Sequence, residues 1–134
     1  VVLYPEHDRK IEGLDSYSHM IVLYWIHKSD EWKMPKHHHH HHKPPNVKVF
    51  ATRMPVRPNP IDLSVVEILS FSSDNGRLSV KGLDALNVTP ILDIKPYIPN
   101  FDSYPETRLP VWVGSHLSEH HHKDNNEMDL QVES

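Results

Sequence analysis

Cysteine is absent from this chain of 134 residues, which excludes a disulfide framework, a thiolate metal site and a cysteine nucleophile. Glycine is scarce. Gly13, Gly76, Gly82 and Gly114 are the four present, and none stands in a GxGxxG or P-loop spacing. That argues against a doubly wound nucleotide-binding domain. No apolar run reaches the roughly 18 residues that cross a bilayer. The N-terminus also lacks the charged-then-apolar pattern of a signal peptide. The expectation is a soluble, cytoplasmic protein with no membrane partner. The chain begins at Val1 rather than methionine, which reads as a missing beginning.

Proline, by contrast, is abundant: 12 against four glycines, a balance that favours extended structure and loops over long helices. The length fits one domain. Net charge is −4, unevenly spread. Residues 28–57 carry Lys28, Lys33, Lys36, Lys43, Lys48, Arg53 and Arg57 against only Asp30 and Glu31, whereas the chain on either side is acidic. A basic segment of this kind suits an anionic partner, nucleic acid included.

Hydrophobic patterning predicts short strands separated by turns. Val1–Tyr4 is a candidate strand closed by Pro5, and Glu6–Leu14 supports at most a helical turn. Met20–Ile26 is a continuous run of β-branched and aromatic residues, too short for a core helix, and reads as a strand buried on both faces. His19 and His27 stand at its ends. Val47–Thr52 alternates as a further strand. Ile61–Phe71 and Arg77–Lys81, joined by a turn over Ser72–Gly76, form a β-hairpin. In Ile91–Pro99, period-2 geometry puts Asp93, Lys95 and Tyr97 on one face and Leu92 and Ile94 on the other. Pro96 and Pro99 mark this as an edge strand or a strand end. The row is either an exposed ladder or a pocket lining. Leu109, Val111, Trp112 and Val113 leave the following segment enough apolar content to pack on the core. These short strands predict a mainly β fold, a single-domain β-barrel with Pro-rich loops and few short helices. It is expected over residues 1–117, its N-terminal part missing, with a disordered acidic, His-rich tail over 118–134.

Two histidine runs, His37–His42 and His120–His122, bind nickel or zinc as any flexible imidazole tract does. A homopolymeric loop offers neither fixed geometry nor supporting partners, so no metal ligand is assigned. More pointed chemistry lies in Phe50–Ser64. There Pro55, Pro58 and Pro60 bracket Val56, Arg57 and Asn59. Each proline fixes its own φ and biases the residue before it to extended geometry, so the loop is stiff before it meets a ligand. Arg57 then presents a planar fork suited to carboxylate or phosphate. A plain crossover with a solvated arginine is the alternative.

Three segments resemble the TrmO (YaeB, or TsaA-like) family. They are Gly13–His19 with the following apolar strand and His27; Val49–Arg53 with Arg57–Ile61; and Gly82–Asp84 with Thr89–Tyr97. The resemblance implies a single-sheet β-barrel that binds S-adenosylmethionine, pairs as a homodimer with the site near the subunit interface, and methylates N6 of threonylcarbamoyl-adenosine beside a tRNA anticodon. The family's cofactor contacts fall on His27, Lys28, Arg57 and the turn Ala85, Leu86, Asn87, Val88. This chain has Asp62 where the family usually has glycine, and Asn87-Val88 where it has Asp-Gly.

The expected function is therefore an S-adenosylmethionine-dependent tRNA (adenine-N6)-methyltransferase. Asp93 and Asn59 are candidates to hold the amine's proton, and Tyr97 to stack on the substrate base. Arg53 and Lys95 are the candidate contacts to tRNA. Two other readings stay open: a non-catalytic barrel that binds nucleic acid or cofactor, and a metal-handling protein built on the histidine runs.

Overall fold

The computed structural model describes residues 1–27, 46–72, 74–85 and 88–113. Its centre is a four-stranded antiparallel sheet in the order β3-β2-β1-β4. The strands are β1 (His19–Trp25), β2 (Ile61–Ser72), β3 (Arg77–Lys81) and β4 (Ile91–Pro96). A single helical turn, α1 (Pro99–Asp102), follows β4. The fold is mainly β, as expected. Among the described residues the sheet does not close into a barrel: β3 and β4 are its edge strands, and the bridge Val2–Arg77 extends the β3 side. No described helix is long and apolar enough to cross a membrane.

Alternation along β1 builds the core. Met20, Val22 and Tyr24 are buried on one face, beside Val66 of β2, Leu78 and Val80 of β3, and Ile91 of β4. Val1, Ile11 and Leu83 pack against them from outside the sheet. Met20, Val22, Val66 and Leu78 are fully buried, and removing such a side chain to alanine costs about 2–5 kcal/mol for Met or Leu. The opposite face is not covered to the same degree, so β1 is buried on one face rather than both. There Ile21, Leu23 and Trp25 pair with Val65, Leu63 and Ile61, and the three β2 residues are each at least 40% exposed.

Local chemistry accounts for the connections. The β2–β3 hairpin needs Gly76: its φ is +62°, and a Cβ there would stand 3.1 Å from the Cβ of Asp8. Pro5–Ile11 winds as a 3-10 helix with proline at its start. The segment read as a strand over Val47–Thr52 is instead a 3-10 turn, Val49–Ala51. Thr52 turns its hydroxyl back to the Val49 carbonyl (2.8 Å) and receives the Met54 amide (3.3 Å), a local alternative to ladder pairing. A bulge between the β1–β4 pairs Leu23–Asp93 and Tyr24–Ile91 takes up Leu92, which is 51% exposed instead of facing inward with Ile94. Residues 103–111 lie exposed rather than packed on the core.

The two loops that enter β2 and β4 meet at one end of β1. The Ile26 amide donates to the Pro60 carbonyl (2.7 Å) and the Trp25 amide to the Pro90 carbonyl (2.9 Å). Both β1 neighbours are thus locked in register where the strand runs out at His27.

Candidate functional site

Three stretches converge on that end of the sheet: Trp25–His27, the proline loop ending at Pro60, and the described parts of the β3–β4 connection, at Asp84 and Pro90. The proline loop is held by its own arginine. Arg57 Nη1 donates to the carbonyls of Thr52 (2.8 Å) and Met54 (3.1 Å), and the guanidinium lies 5.9 Å from the centroid of the Phe50 ring. Arg57 is half-buried. The fork expected at the loop tip therefore serves the loop first. Nη2 and Nε make no further hydrogen bond among the described residues and keep one edge for a ligand. Asn59 is exposed, and its carbonyl accepts the Ile61 amide (2.8 Å), which starts β2.

Tyr24 ties the other two stretches together. Its phenol is nearly sealed from solvent at 3% exposure. The single hydroxyl proton has its shortest contact with the Asp84 carbonyl (2.7 Å), with Asp62 Oδ2 at 3.2 Å. The Ser64 hydroxyl stands 3.1 Å from the phenol oxygen and can donate to it. Burial pushes the phenol up from 10.0 to about 12, the Ser64 bond opposes that rise, and the neighbouring Asp62 and Asp84 charges add to it. Asp62 Oδ1 accepts the Leu63 amide (2.7 Å) and faces Arg53 Nη2 across 4.0 Å. With the Arg53 side chain 80% exposed, that ion pair adds little. Sequence reasoning missed Tyr24, because a phenol inside an apolar run reads as packing. Its signal was the polar pair Asp62 and Ser64, on the same face of β2 as the fully buried Val66.

The other expected site residues divide into two groups. His27 is exposed at the end of β1, and Ala85 packs partly buried against the core. Val88 follows with φ at +63° and 61% exposure. A β-branched residue in that left-handed region is strained. Thr89 is buried directly after it. Lys28, Leu86 and Asn87 lie outside the described residues, as do both histidine runs; among the described residues no group of acids and histidines is arranged to hold a metal.

The β4 row belongs elsewhere. Asp93 is opposite Leu23, Lys95 is opposite Ile21, and the Tyr97 amide bonds to the His19 carbonyl (3.1 Å). At about 3.3 Å per residue, Tyr97 stands about 26 Å along β1 from His27, and Asp93 about 13 Å. Asp93 and Lys95 pair with each other at 3.0 Å, and Tyr97 meets the His19 ring edge-on at 6.3 Å. The structure thus sets His27, Asn59 and Val88 within two residues of the hydrogen bonds that join Pro60 and Pro90 to the end of β1, with Ala85 next to the Asp84 anchor and Arg57 on the same proline loop. It sets Lys95 and Tyr97 at the other end, with Asp93 between on the outer face. What the first group offers is one guanidinium edge, an imidazole, an amide and turn backbone: a binding chemistry, not a nucleophile with its base.

Comparison with known proteins gives the same three stretches a context. The model of the tRNA-methyltransferase O N-terminal domain matches residues 1–103. A probable S-adenosyl-L-methionine-binding protein of Methanothermobacter thermautotrophicus is 40% identical over 101 residues, 75% of this chain and 70% of that protein. The tRNA (adenine(37)-N6)-methyltransferase of Escherichia coli is 35% identical over 100 residues, 72% of this chain and 43% of the enzyme. The crystal structure of TrmO from Pseudomonas aeruginosa superposes with a TM-score of 0.65 at 36% identity, covering 82% of this chain and 46% of that one. The chain thus spans less than half of the methyltransferases it matches.

Proposed function

The chain belongs to the tRNA-methyltransferase O N-terminal domain family, and from that membership we propose that it binds S-adenosylmethionine at the His27 end of the sheet and serves methylation of an adenine N6 in tRNA. The observation that carries this reading is the convergence of the three stretches, the proline loop and the β3–β4 connection each tied to the end of β1 by a hydrogen bond of 2.9 Å or less. In this reading the sheet is one wall of the β-barrel that the family resemblance implies.

The donor set fits such a ligand. The uncommitted edge of Arg57 suits its carboxylate, and backbone groups at Ala85 and Val88 suit the hydrogen-bonding edge of its adenine. His27, exposed at the end of β1, adds an imidazole at the same end of the sheet. When bound, the cofactor supplies an electrophilic methyl group. The residues of this chain orient and exclude water, since aligning nitrogen, carbon and sulfur is mostly a positioning problem. Asn59, at the same end of the sheet, holds the target amine through its side-chain oxygen. It is preferred over Asp93, whose carboxylate is engaged with Lys95 on the outer face. Arg53 meets the tRNA backbone. A homodimer would use the outer face of the sheet, where Ile61, Leu63 and Val65 adjoin the proline loop.

A methylation assay with labelled cofactor and unmodified and threonylcarbamoylated tRNA tests the reading; transfer to N6 of adenine supports it. A second reading has a specific support. A strained Val88 sits in the cofactor turn, and relatives such as that of M. thermautotrophicus carry names that speak only of binding. Under it the chain binds S-adenosylmethionine by calorimetry and transfers methyl to no tRNA.

A further inference from the structure

Phe50 takes no part in the cofactor site just described, yet its exposed ring is held beneath a fixed cation. It is 78% exposed, on the tight turn closed by the Ala51 amide to the Lys48 carbonyl (2.9 Å) and the Thr52 amide to the Val49 carbonyl (3.1 Å). A single exposed apolar side chain is ordinary. Here, however, the guanidinium of Arg57 lies over the ring at 5.9 Å, pinned there by the carbonyls of Thr52 and Met54. A cation fixed on one face holds the ring in place by cation–π attraction, and the exposure of the ring leaves its other face to a ligand.

The surroundings specify what that ligand is. Between Asn46 and Ile61 there is no acidic side chain, while Lys48, Arg53 and Arg57 are all present; Asp62, just beyond, faces Arg53 only across 4.0 Å, an exposed pair that a phosphate can displace. Lys48 and the Arg53 side chain stand exposed on either side of Phe50. Pro55, Pro58 and Pro60 stiffen the loop that carries the ring, so little entropy is lost on binding. A flat ring backed by a cation and flanked by exposed cations is the arrangement by which proteins hold single-stranded nucleic acid: bases stack on aromatics while lysine and arginine follow the phosphates.

We propose that Phe50, backed by Arg57, is a stacking platform for an unpaired RNA nucleobase, with Lys48 and Arg53 on the adjoining phosphates. The inference rests on the reading of RNA as substrate, and it assigns to the proline loop the base-stacking role that the sequence suggested for Tyr97.

The test uses a hairpin RNA carrying the fluorescent adenine analogue 2-aminopurine in its loop, titrated against the chain and its variants. Wild type is expected to bind and quench the fluorophore. Phe50→Ala is expected to bind about tenfold more weakly, the loss typical of one stacked base, without quenching, while Phe50→Trp restores both. Lys48→Ala should lower the salt dependence of binding by about one ion. Affinity for S-adenosylmethionine, read by calorimetry, should stay the same in Phe50→Ala. The platform is refuted if wild type binds without quenching or does not bind, if Phe50→Ala binds RNA like wild type, or if the variant loses cofactor affinity, which would give the ring to the cofactor's adenine instead. Methyl transfer is scored separately. Phe50-dependent quenching without transfer removes the methyltransferase reading and keeps the platform, and transfer undiminished in Phe50→Ala does the reverse.

Discussion

Replacing Tyr24 by phenylalanine removes one oxygen from the interior and with it the contacts to Asp84 (2.7 Å), Ser64 (3.1 Å) and Asp62 (3.2 Å). The Asp62 side chain is one-third exposed and can turn to water. The uncompensated loss therefore falls on the Asp84 carbonyl and the Ser64 hydroxyl, and a net destabilisation of about 1–2 kcal/mol follows at neutral pH. For a domain of this size that lowers the melting temperature by about 5–15 °C. The phenol also makes the effect depend on pH in a definite sense. Its folded pKa of about 12 is above the ordinary 10.0, so the folded state prefers the neutral form. That contribution is complete below pH 10 and is lost as pH rises toward 12. Over this window wild type forfeits about 2–3 kcal/mol that the phenylalanine variant, having nothing to ionise, retains. The alkaline loss exceeds the hydrogen-bond gain, so the two stability curves should cross between pH 10 and 12. Urea denaturation across that range, with tyrosinate absorbance followed in parallel, reads it. A variant equal to wild type at pH 7, or a difference that stays constant to pH 12, would refute the reasoning.

Val88→Gly relieves a left-handed φ of +63° at a residue 61% exposed; strain of about 1–2 kcal/mol outweighs the glycine entropy cost of about 0.5–1 kcal/mol, and thermal melting should show a slight net stabilisation. Val88→Pro, whose φ cannot be positive, should be strongly destabilised by the same measurement. Arg57→Ala both empties the ligand edge and frees the Thr52 and Met54 carbonyls, so calorimetry should record at least a tenfold loss of S-adenosylmethionine affinity (about 1.4 kcal/mol), which Arg57→Lys restores only in part. Leu63→Glu, in the middle of the outer face, should leave the melting temperature nearly unchanged and convert any dimer to monomer in light scattering.

The strands were legible where composition and period agreed. The Ile61–Phe71 and Arg77–Lys81 hairpin and the edge strand from Ile91 follow from β-branched runs between turn residues. Burial was less legible. Ile21, Leu23 and Trp25 are as apolar as the inward Met20 and Val22, and nothing in their identity says that their side of the sheet is only partly covered. Val47–Thr52 alternates like a strand but winds as a turn, because Thr52 satisfies the local backbone that a ladder would otherwise have used. In the site, the proline loop and its arginine were visible as a motif. Their geometry was not: the partners of Arg57 are main-chain carbonyls, which no residue type announces. Nor does a strand's own sequence give its register against a neighbour, and it is register that carries Tyr97 and Lys95 away from His27.

Amide chemical-shift mapping during titration with S-adenosylmethionine shows which parts of the chain meet one ligand. Concerted shifts are expected at Trp25–His27, at Arg57 and Asn59, and at Asp84–Val88, saturating with a single affinity. Shifts confined to Asp93, Lys95, Tyr97 and His19, or separate affinities for the proline loop and the Asp84 connection, would contradict a single cofactor site.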